Sequence, residues 1–166
     1  MNKPMSAGEA PVSVPFSLDG RKLEALPGET ILQAAKRVGI DIPHLCYKDG
    51  YRPDGNCRAC VVEIKGERVL APSCCRTPTP DMEVQAASER ARHSQRMVLE
   101  LLKSDMPDGE RSPFTPRSEL DAWADRLDVT ISRFPRRHQP QSDLTNPAIA
   151  VNLSACIQCT RCVRAC

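Results

Sequence analysis

Five cysteines between residues 46 and 75 form the densest chemical pattern in the chain. Cys46 is followed by a ten-residue gap, Cys57 and Cys60 form a CxxC pair, and the sequence APSCC supplies Cys74 and Cys75. Thiolates ligate soft metals, and a long loop that carries three of them can wrap an iron–sulfur cluster whose fourth ligand, Cys74 or Cys75, comes from the next strand. The types and spacing of these residues therefore predict an iron–sulfur site.

Zinc is the main alternative for this stretch, because structural zinc sites also use a CxxC pair. Such sites usually add a second CxxC or a histidine pair, whereas the other thiols here stand apart, so a cluster is favoured. His44 is expected to pack near the site rather than to bind metal, since four thiols are already available. Arg58 lies beside the ligands, and the sequence is equally compatible with a charge that tunes the cluster and with a solvated loop charge.

A second group of thiols lies in NLSACIQCTRCVRAC, which has the spacing CxxCxxCxxxC. In bacterial ferredoxins with this run, three thiolates bind three irons of one cluster and the fourth binds a neighbouring cluster. Cys156, Cys159 and Cys162 are therefore predicted ligands of a [4Fe–4S] cluster, and Cys166 of a second one whose other ligands lie downstream. The usual Pro does not follow Cys166, so the motif is expected to continue beyond this stretch. Zinc is a poor alternative here too.

The overall composition and charge make some classes of partner and location less expected than others. The 166 residues carry a net charge of +2, and the basic residues are dispersed, so neither nucleic acid nor a membrane surface is expected as a partner. The N-terminus lacks an apolar signal segment, and no run approaches the roughly 20 apolar residues of a membrane helix. Nine cysteines without a secretion signal indicate metal ligands in a reducing compartment, so a cytoplasmic location is expected.

Sequence patterns predict a small sheet and a helix around the first cysteine group. VSVPFSL at 12–18, the turn pair DG and the segment RKLEAL predict a hairpin with Pro15 on a sheet edge. PGETILQAAKRVGI predicts a helix that begins at Glu29 or Thr30 and ends at Gly39. VVEIKGERVL predicts a second hairpin, and DMEVQA at 81–86 predicts a last strand. The apolar face of the helix comprises Ile31, Ala34, Ala35 and Val38.

Two further helices are predicted between the cysteine groups. One runs from Ser88 to about Asp105, with His93 on its solvated side. Another occupies SELDAWADRL, where Ser118 and Asp121 resemble a capping box and Trp123 is expected to be a packing anchor. Residues 107–117 read as a linker. The apolar stripe of the first of these helices comprises Ala91, Val98, Leu101 and Leu102.

The segment SRFPRRHQPQSDLTNPAIA is predicted to be a long irregular strap. Its basic patch comprises Arg133, Arg136 and Arg137. A solvated face and a contact with another subunit both explain such a patch.

The order of hairpin, helix, cysteine loop, hairpin and strand makes residues 11–86 resemble the plant-type, β-grasp [2Fe–2S] ferredoxin fold. The ten-residue first gap is similar to that of the N-terminal cluster domain of the complex I large subunit. Relatives of that domain occur in NAD-linked formate dehydrogenases and NAD-reducing hydrogenases. The resemblance implies that Cys46 and Cys57 bind one iron and Cys60 and Cys74 the other, and that Cys75 is a buried bystander.

The sequence lacks one motif of the complex I-type relatives, and this decides which relatives it resembles most. Complex I-type relatives follow the LELL helix with a His-Pro and three cysteines that hold a [4Fe–4S] cluster. Here Met106 stands at the His position, and no Cys occurs between Cys75 and Cys156. The chain therefore most resembles the N-terminal iron–sulfur region of the alpha (catalytic) subunit of soluble molybdenum, NAD-dependent formate dehydrogenases. This implies a molybdenum bis-pterin cofactor in the downstream part of the catalytic subunit, and a diaphorase-type partner subunit that binds FMN and NAD.

The expected fold class is α+β. A tail at 1–10 precedes a [2Fe–2S] ferredoxin-like domain at 11–86, a helical connector and strap at 87–150, and the start of a bacterial-ferredoxin-type [4Fe–4S] domain at 151–166. No catalytic constellation is found, so this stretch is expected to transfer electrons within a larger oxidoreductase. The alternatives are the small diaphorase subunit of an NAD-reducing hydrogenase, a free-standing ferredoxin-like carrier, and a metal-storage or zinc structural module.

Overall fold

The computed structural model describes residues 13–106, 117–136, 138, 141–148 and 150–166. The expected tail at 1–10, nearly all of the expected linker at 107–117, and Arg137 lie outside the described residues. The described chain forms a five-stranded mixed sheet in the order β2-β1-β5-β3-β4, with helices beside it. The elements are β1 Val14–Leu18, β2 Arg21–Ala25, α1 Ile31–Arg37, β3 Val61–Ile64, β4 Ala71–Pro72, β5 Met82–Gln85, α2 Glu89–Asp105, α3 Glu119–Arg126, a 3-10 turn Leu153–Ala155 and α4 Arg161–Ala165.

The first hairpin is confirmed. β1 and β2 pair antiparallel, and both turn residues, Asp19 and Gly20, have the positive φ that a type I′ turn requires. The edge position predicted for Pro15 is wrong, because β1 lies between β2 and β5. The parallel ladder between β1 and β5 starts at Phe16, opposite Met82. Pro15 precedes that ladder, so its missing N–H costs no hydrogen bond there.

Helix α1 begins and ends as its sequence predicts. Thr30 is the N-cap and forms a capping box with Gln33, which satisfies two amide groups that a helix start would otherwise leave unpaired. Gly39, with φ of 76°, follows the end of the helix. Three of the four predicted face residues are buried, whereas Val38 is half-buried and Leu32 takes its place in the core.

The second hairpin is displaced from its predicted position. β3 pairs with residues 71 and 72, and the return strand that the sequence predicts after a KGE turn, at 68–70, is irregular. The amide of Glu67 donates to the Ile64 carbonyl at 3.0 Å, which closes a tight turn, and Val69 is 61% exposed. Arg90 of α2 donates to the Arg68 carbonyl of this irregular segment. The predicted last strand, β5, is confirmed.

Two apolar cores lie on either side of the first cysteine group. One fills the space between the sheet and α1, and the other joins α2 and α3 to the cysteine loop. The loop contributes Leu45 and Ala59 to the second core, each adjacent in sequence to a cysteine. The loop is therefore fixed between two packed units. The second core comprises Leu45, Ala59, Leu99, Leu120, Ala124, Leu127 and Val129.

Helices α2 and α3 form where the sequence predicts them, but the buried face of α2 differs from the predicted one. Ser88 and Ser118 cap them, and Asp121 completes a capping box. Leu101, predicted to be on the apolar stripe, is 45% exposed, and Gln95 is buried instead. The Gln95 side-chain amide donates to the Val61 carbonyl at 2.9 Å and to the Ala86 carbonyl at 3.1 Å. These bonds tie α2 to the sheet, which an apolar pattern does not reveal.

The strap after α3 is fastened to α2. Arg133 donates from Nε and Nη2 to both carboxylate oxygens of Glu100, each at 2.8 Å, and its amide donates to Oε1 at 2.7 Å. These bonds lower the pKa of Glu100 to about 2. Arg136 donates to the Met106 carbonyl at 2.6 Å. Among the described helices, none is both long and apolar enough to cross a membrane.

Candidate metal centres

The four thiols of the first predicted site lie against one another. The Cys46 thiol contacts those of Cys57 and Cys74, and the Cys60 thiol contacts that of Cys74. The Cys46 amide also donates to Cys57 Sγ at 3.4 Å. Cys46, Cys60 and Cys74 are buried and Cys57 is half-buried. The loop and the segment after β4 thus bring together four thiols that the sequence spreads over 29 positions.

The electrostatics of this group favour a cationic occupant. Hydrogen bonds from Cys57 and Cys74 lower the pKa of Cys46 to about 2, and a hydrogen bond from Cys74 lowers the pKa of Cys60 to about 7. The same contacts raise the pKa of Cys57 and Cys74, since a second thiolate would face the first. Four thiolates in such contact would repel one another, and metal ions compensate that repulsion. The donor set therefore suits a cluster of ferric and ferrous ions.

Within the described residues, no group of three His, Cys, Asp or Glu side chains has the arrangement of a metal-ion site. A [2Fe–2S] cluster instead needs two thiolates on each of two irons. The contacts of Cys46 with Cys57 and of Cys60 with Cys74 form two such pairs, and a contact of Cys46 with Cys74 joins them.

The segment after β4 holds Cys74 inward and Cys75 outward. The Ser73 amide and hydroxyl both donate to the Cys60 carbonyl, at 3.0 and 2.7 Å. Cys74 is fully buried, whereas Cys75 is exposed, and their sulfur atoms are 3.5 Å apart. The expectation that Cys75 is buried is therefore wrong. Gly55, at φ of 65°, lies beneath it, and a Cβ there would lie 3.1 Å from Cys75 Sγ.

The start of α1 fixes the same segment. The first turn of a helix has amides without intrahelical partners. Here the Ile31 amide donates to the Arg76 carbonyl at 2.8 Å, and the Leu32 amide donates to the Ser73 carbonyl at 3.0 Å. The segment that carries Cys74 is thereby tied to a helix.

Residues around the loop are packed or solvated as their types suggest. His44 is half-buried, its Nδ1 lies 2.8 Å from the Ile42 carbonyl, and its ring contacts those of Tyr47 and Trp123, each at 5.9 Å. This is the packed role expected for His44, and Trp123 packs against the second core as expected. Arg58 is exposed and has a φ of 58°. Burial raises the pKa of Tyr47 to about 12.

The terminal cysteines are much more exposed than the first group. Cys156 and Cys159 are half-buried, and Cys162 and Cys166 are exposed. Gln158 and Thr160 have φ values of 54° and 59°, which turn the backbone sharply between the thiols. The Gln158 amide donates to Cys156 Sγ at 3.4 Å. The described geometry is a cysteine-bearing turn that leads into the short helix α4.

Sequence reasoning missed that the terminal segment docks on the first cysteine loop. Asn56 donates to the Thr160 hydroxyl at 3.0 Å, and that hydroxyl donates to Asp54 at 3.2 Å. Arg161 donates to the Tyr47 carbonyl at 2.8 Å, and Arg164 reaches the same loop. The two arginines within RCVRAC were the only sequence signal for this contact, and they carry no periodicity.

Comparison with known proteins supports the first site. Residues 12–89 match a family model described as "2Fe-2S iron-sulfur cluster binding domain". In the crystal structure of an NAD⁺-reducing [NiFe]-hydrogenase in the H₂-reduced state, one chain is similar with a TM-score of 0.78 and 33% identity. The match covers 93% of the present chain and 66% of that one.

Two curated relatives are similar over nearly the whole chain. The NADP-reducing hydrogenase subunit HndD of Solidesulfovibrio fructosivorans is 37% identical over 159 residues, which are 91% of this chain and 27% of the relative. The mitochondrial NADH-ubiquinone oxidoreductase 78 kDa subunit of Candida albicans is 31% identical over 155 residues, which are 91% of this chain and 22% of the relative. The chain thus spans about a quarter of their length.

Proposed function

We propose that this chain, whose residues 12–89 match a 2Fe–2S cluster binding domain, is an electron-transfer region of an NAD-linked oxidoreductase. The observation that carries the proposal is the mutual contact of four thiols from a loop and a separate segment. A bound cluster at these thiols supplies one-electron oxidation and reduction. The protein's own residues then serve to bury the centre, to fix its ligands and to dock its neighbours.

The proposed ligands of the [2Fe–2S] cluster are Cys46 and Cys57 on one iron and Cys60 and Cys74 on the other. The resemblance to plant-type ferredoxins supports this division, and two of the three contacts among the thiols lie within its pairs, the third being that of Cys46 with Cys74. Cys74 is preferred to Cys75 because it is buried and contacts two other ligands, whereas Cys75 is exposed. Ser73 and the first amides of α1 hold Cys74 in place.

For the terminal run we propose that Cys156, Cys159 and Cys162 bind a [4Fe–4S] cluster and that Cys166 binds another. The spacing and the turns at Gln158 and Thr160 support this assignment. Residues 151–166 then begin a bacterial-ferredoxin-type domain, after the [2Fe–2S] domain at 11–86 and the connector at 87–150. The docking of the run on the first loop supports passage of electrons between the two centres.

The specific reaction we propose is oxidation of formate to CO₂ with reduction of NAD. Met106 replaces the His of the complex I-type motif, and the three accompanying cysteines are missing, which supports formate dehydrogenase as the parent. In that assembly a downstream part of the subunit carries a molybdenum bis-pterin site, and a partner subunit carries FMN and NAD. Electron pairs from formate would be passed singly to that partner.

A hydrogenase is the second candidate. It is favoured by the 33% identity and TM-score of 0.78 with the NAD⁺-reducing hydrogenase chain, and by the 37% identity with HndD. In that case the chain belongs to a small diaphorase subunit, and the electrons come from hydrogen. The electron-transfer role of the thiol sites is common to both candidates.

Reduction of the purified intact complex by defined donors tests the proposal. Formate is expected to produce the electron paramagnetic resonance (EPR) signal of a reduced [2Fe–2S] cluster and to support NAD reduction, while hydrogen does neither. The reverse result would replace formate by hydrogen and keep the electron-transfer role. A dithionite-reduced protein without any [2Fe–2S] signal would refute the role itself.

A further inference from the structure

Arg164 of α4 joins the two cysteine groups through main-chain carbonyls. Its Nη2 donates to the Cys46 carbonyl and, at 3.2 Å, to the Cys159 carbonyl, so it binds one residue from each group. Its Nη1 donates to the Arg52 carbonyl at 2.6 Å. One side chain therefore fastens the terminal turn and the first cysteine loop to each other.

The guanidinium is held in an enclosed, charge-compensated place. The Arg164 side chain is only 9% exposed, and its Nε lies 3.2 Å from Oδ2 of Asp54, which is 17% exposed. A charge this far from water is retained only with good partners, and the planar guanidinium can meet three carbonyls and a carboxylate at once. By contrast, Arg52 on the same loop is 83% exposed, although its Nη2 lies 3.2 Å from Oδ1 of the same Asp54. Position, rather than charge alone, distinguishes Arg164.

We propose that Arg164 is a positioning residue that locks the terminal cysteine run onto the [2Fe–2S] loop and, through its charge, raises the reduction potential of that centre. The second half rests on the proposed function. A cation near a cluster stabilises the added electron, because the potential follows the charge and hydrogen bonds around the ligands. Loss of Arg164 also removes the buried one of the two arginines paired with Asp54 and leaves the exposed Arg52, 3.2 Å from Oδ1. The Asp54 carboxylate is then less well compensated, which disfavours the added electron further.

Three variants of the intact protein distinguish the two roles of Arg164, which are the attachment of the terminal run to the loop (the lock) and the effect of its charge. Arg164→Gln removes both, and Arg164→Lys keeps the charge but cannot bridge three carbonyls and Asp54 with one compact ammonium. The double variant Asp54→Asn with Arg164→Gln removes both charges and keeps the net balance. Arg52→Gln is the matched control, since it removes the other positive charge paired with Asp54, on the same loop but at an exposed position.

Redox titration of the [2Fe–2S] EPR signal measures the charge effect. At fixed potential, Arg164→Gln is expected to raise the ratio of oxidised to reduced centre roughly tenfold, equivalent to about 59 mV for one electron. The Lys variant, the double variant and the Arg52→Gln control are expected to stay within about twofold, because their charge is retained, balanced or screened. Equal shifts in the Gln and Lys variants, or no shift in either, would overturn the electrostatic half.

Amide hydrogen exchange of the protein as purified measures the lock without requiring a cluster. Peptides covering residues 51–57 and 156–166 are expected to exchange at least about tenfold faster in Arg164→Gln and in Arg164→Lys, while the Arg52→Gln control exchanges like the wild type. Unchanged exchange in both Arg164 variants refutes the lock. Were the wild type to show no [2Fe–2S] signal, the proposed function and the electrostatic half would fall together, and exchange alone would decide the lock.

Discussion

The two cysteine groups are built differently although one chain makes both. In the first, three thiols are buried, all four are in contact, and two apolar cores and the start of α1 fix the backbone around them. In the second, two thiols are exposed, the supporting helix has five residues, and polar contacts with the first loop hold it in place. The first group carries its own scaffold, whereas the second depends on the first.

The comparison teaches that spacing alone does not make a preorganised metal site. The terminal CxxCxxCxxxC is the more regular motif in sequence. The irregular first group is nevertheless the better formed, because burial by the surrounding cores supplies what spacing cannot. The affinity of each site for iron should follow this difference in scaffold.

Substitution of one member of the adjacent pair Cys74 and Cys75 tests the first scaffold and has the largest expected effect. Cys74→Ser should abolish or distort the reduced [2Fe–2S] EPR signal, because it removes a buried thiol that contacts two others. Cys75→Ser is the matched control and should keep the signal, since that thiol is exposed. If the two variants behaved in the opposite way, Cys75 would be the ligand.

Iron and sulfide analysis of reconstituted residues 1–166 compares the groups directly. We expect about two irons per chain, since the first group can hold a complete [2Fe–2S] cluster and the terminal run supplies ligands for only part of a [4Fe–4S] cluster. A stable yield of about six irons with a [4Fe–4S] spectrum would mean that Cys166 or Cys75 completes that cluster. The difference between the two scaffolds would then be smaller than their burial indicates.

The sequence was sufficient where local rules decide the structure. Alternation and the Asp19-Gly20 pair located the first hairpin, and the capping pattern located α1. The sequence was insufficient where contacts between residues far apart in the chain determine the structure. Pro15 lies in an interior strand because β5 pairs with β1 from 66 residues away, Phe16 opposite Met82. The buried place of Arg164 likewise depends on a loop about a hundred residues earlier, and no local pattern encodes such a contact.

The pH dependence of stability gives a smaller effect, at a point remote from both groups. The bonds from Arg133 lower the pKa of Glu100 to about 2, from 4.5, so the ionised carboxylate stabilises the fold. That contribution is complete above pH 4.5 and is lost as the pH falls towards 2. Glu100→Gln should therefore unfold at lower urea than the wild type at pH 6, and the two should converge near pH 2.

The exposed pair of Glu83 and Lys65 provides a control for the Glu100 experiment. Glu83→Gln breaks a single contact between side chains that are 53% and 72% exposed, so its urea midpoint should stay close to that of the wild type at both pH values. A Glu100→Gln variant with an unchanged midpoint at pH 6 would show that the contact between Glu100 and Arg133 contributes nothing to stability. The attachment of the strap to α2 would then rest on its other bonds, such as those of Lys103 and Arg136.

The parallel pairing of β1 with β5 has a consequence for folding of the protein during its synthesis on the ribosome. Residues 46–75 lie between the two strands that this pairing joins, so the sheet closes around the cysteine loop only after about residue 86 has left the exit tunnel. Pairings so distant in sequence form slowly, because the entropy cost of closing a long loop precedes any contact that stabilises it. Until then the thiols are exposed to oxidants and to stray metal ions. Delivery of iron and sulfide is thus best timed after synthesis of this sheet is complete.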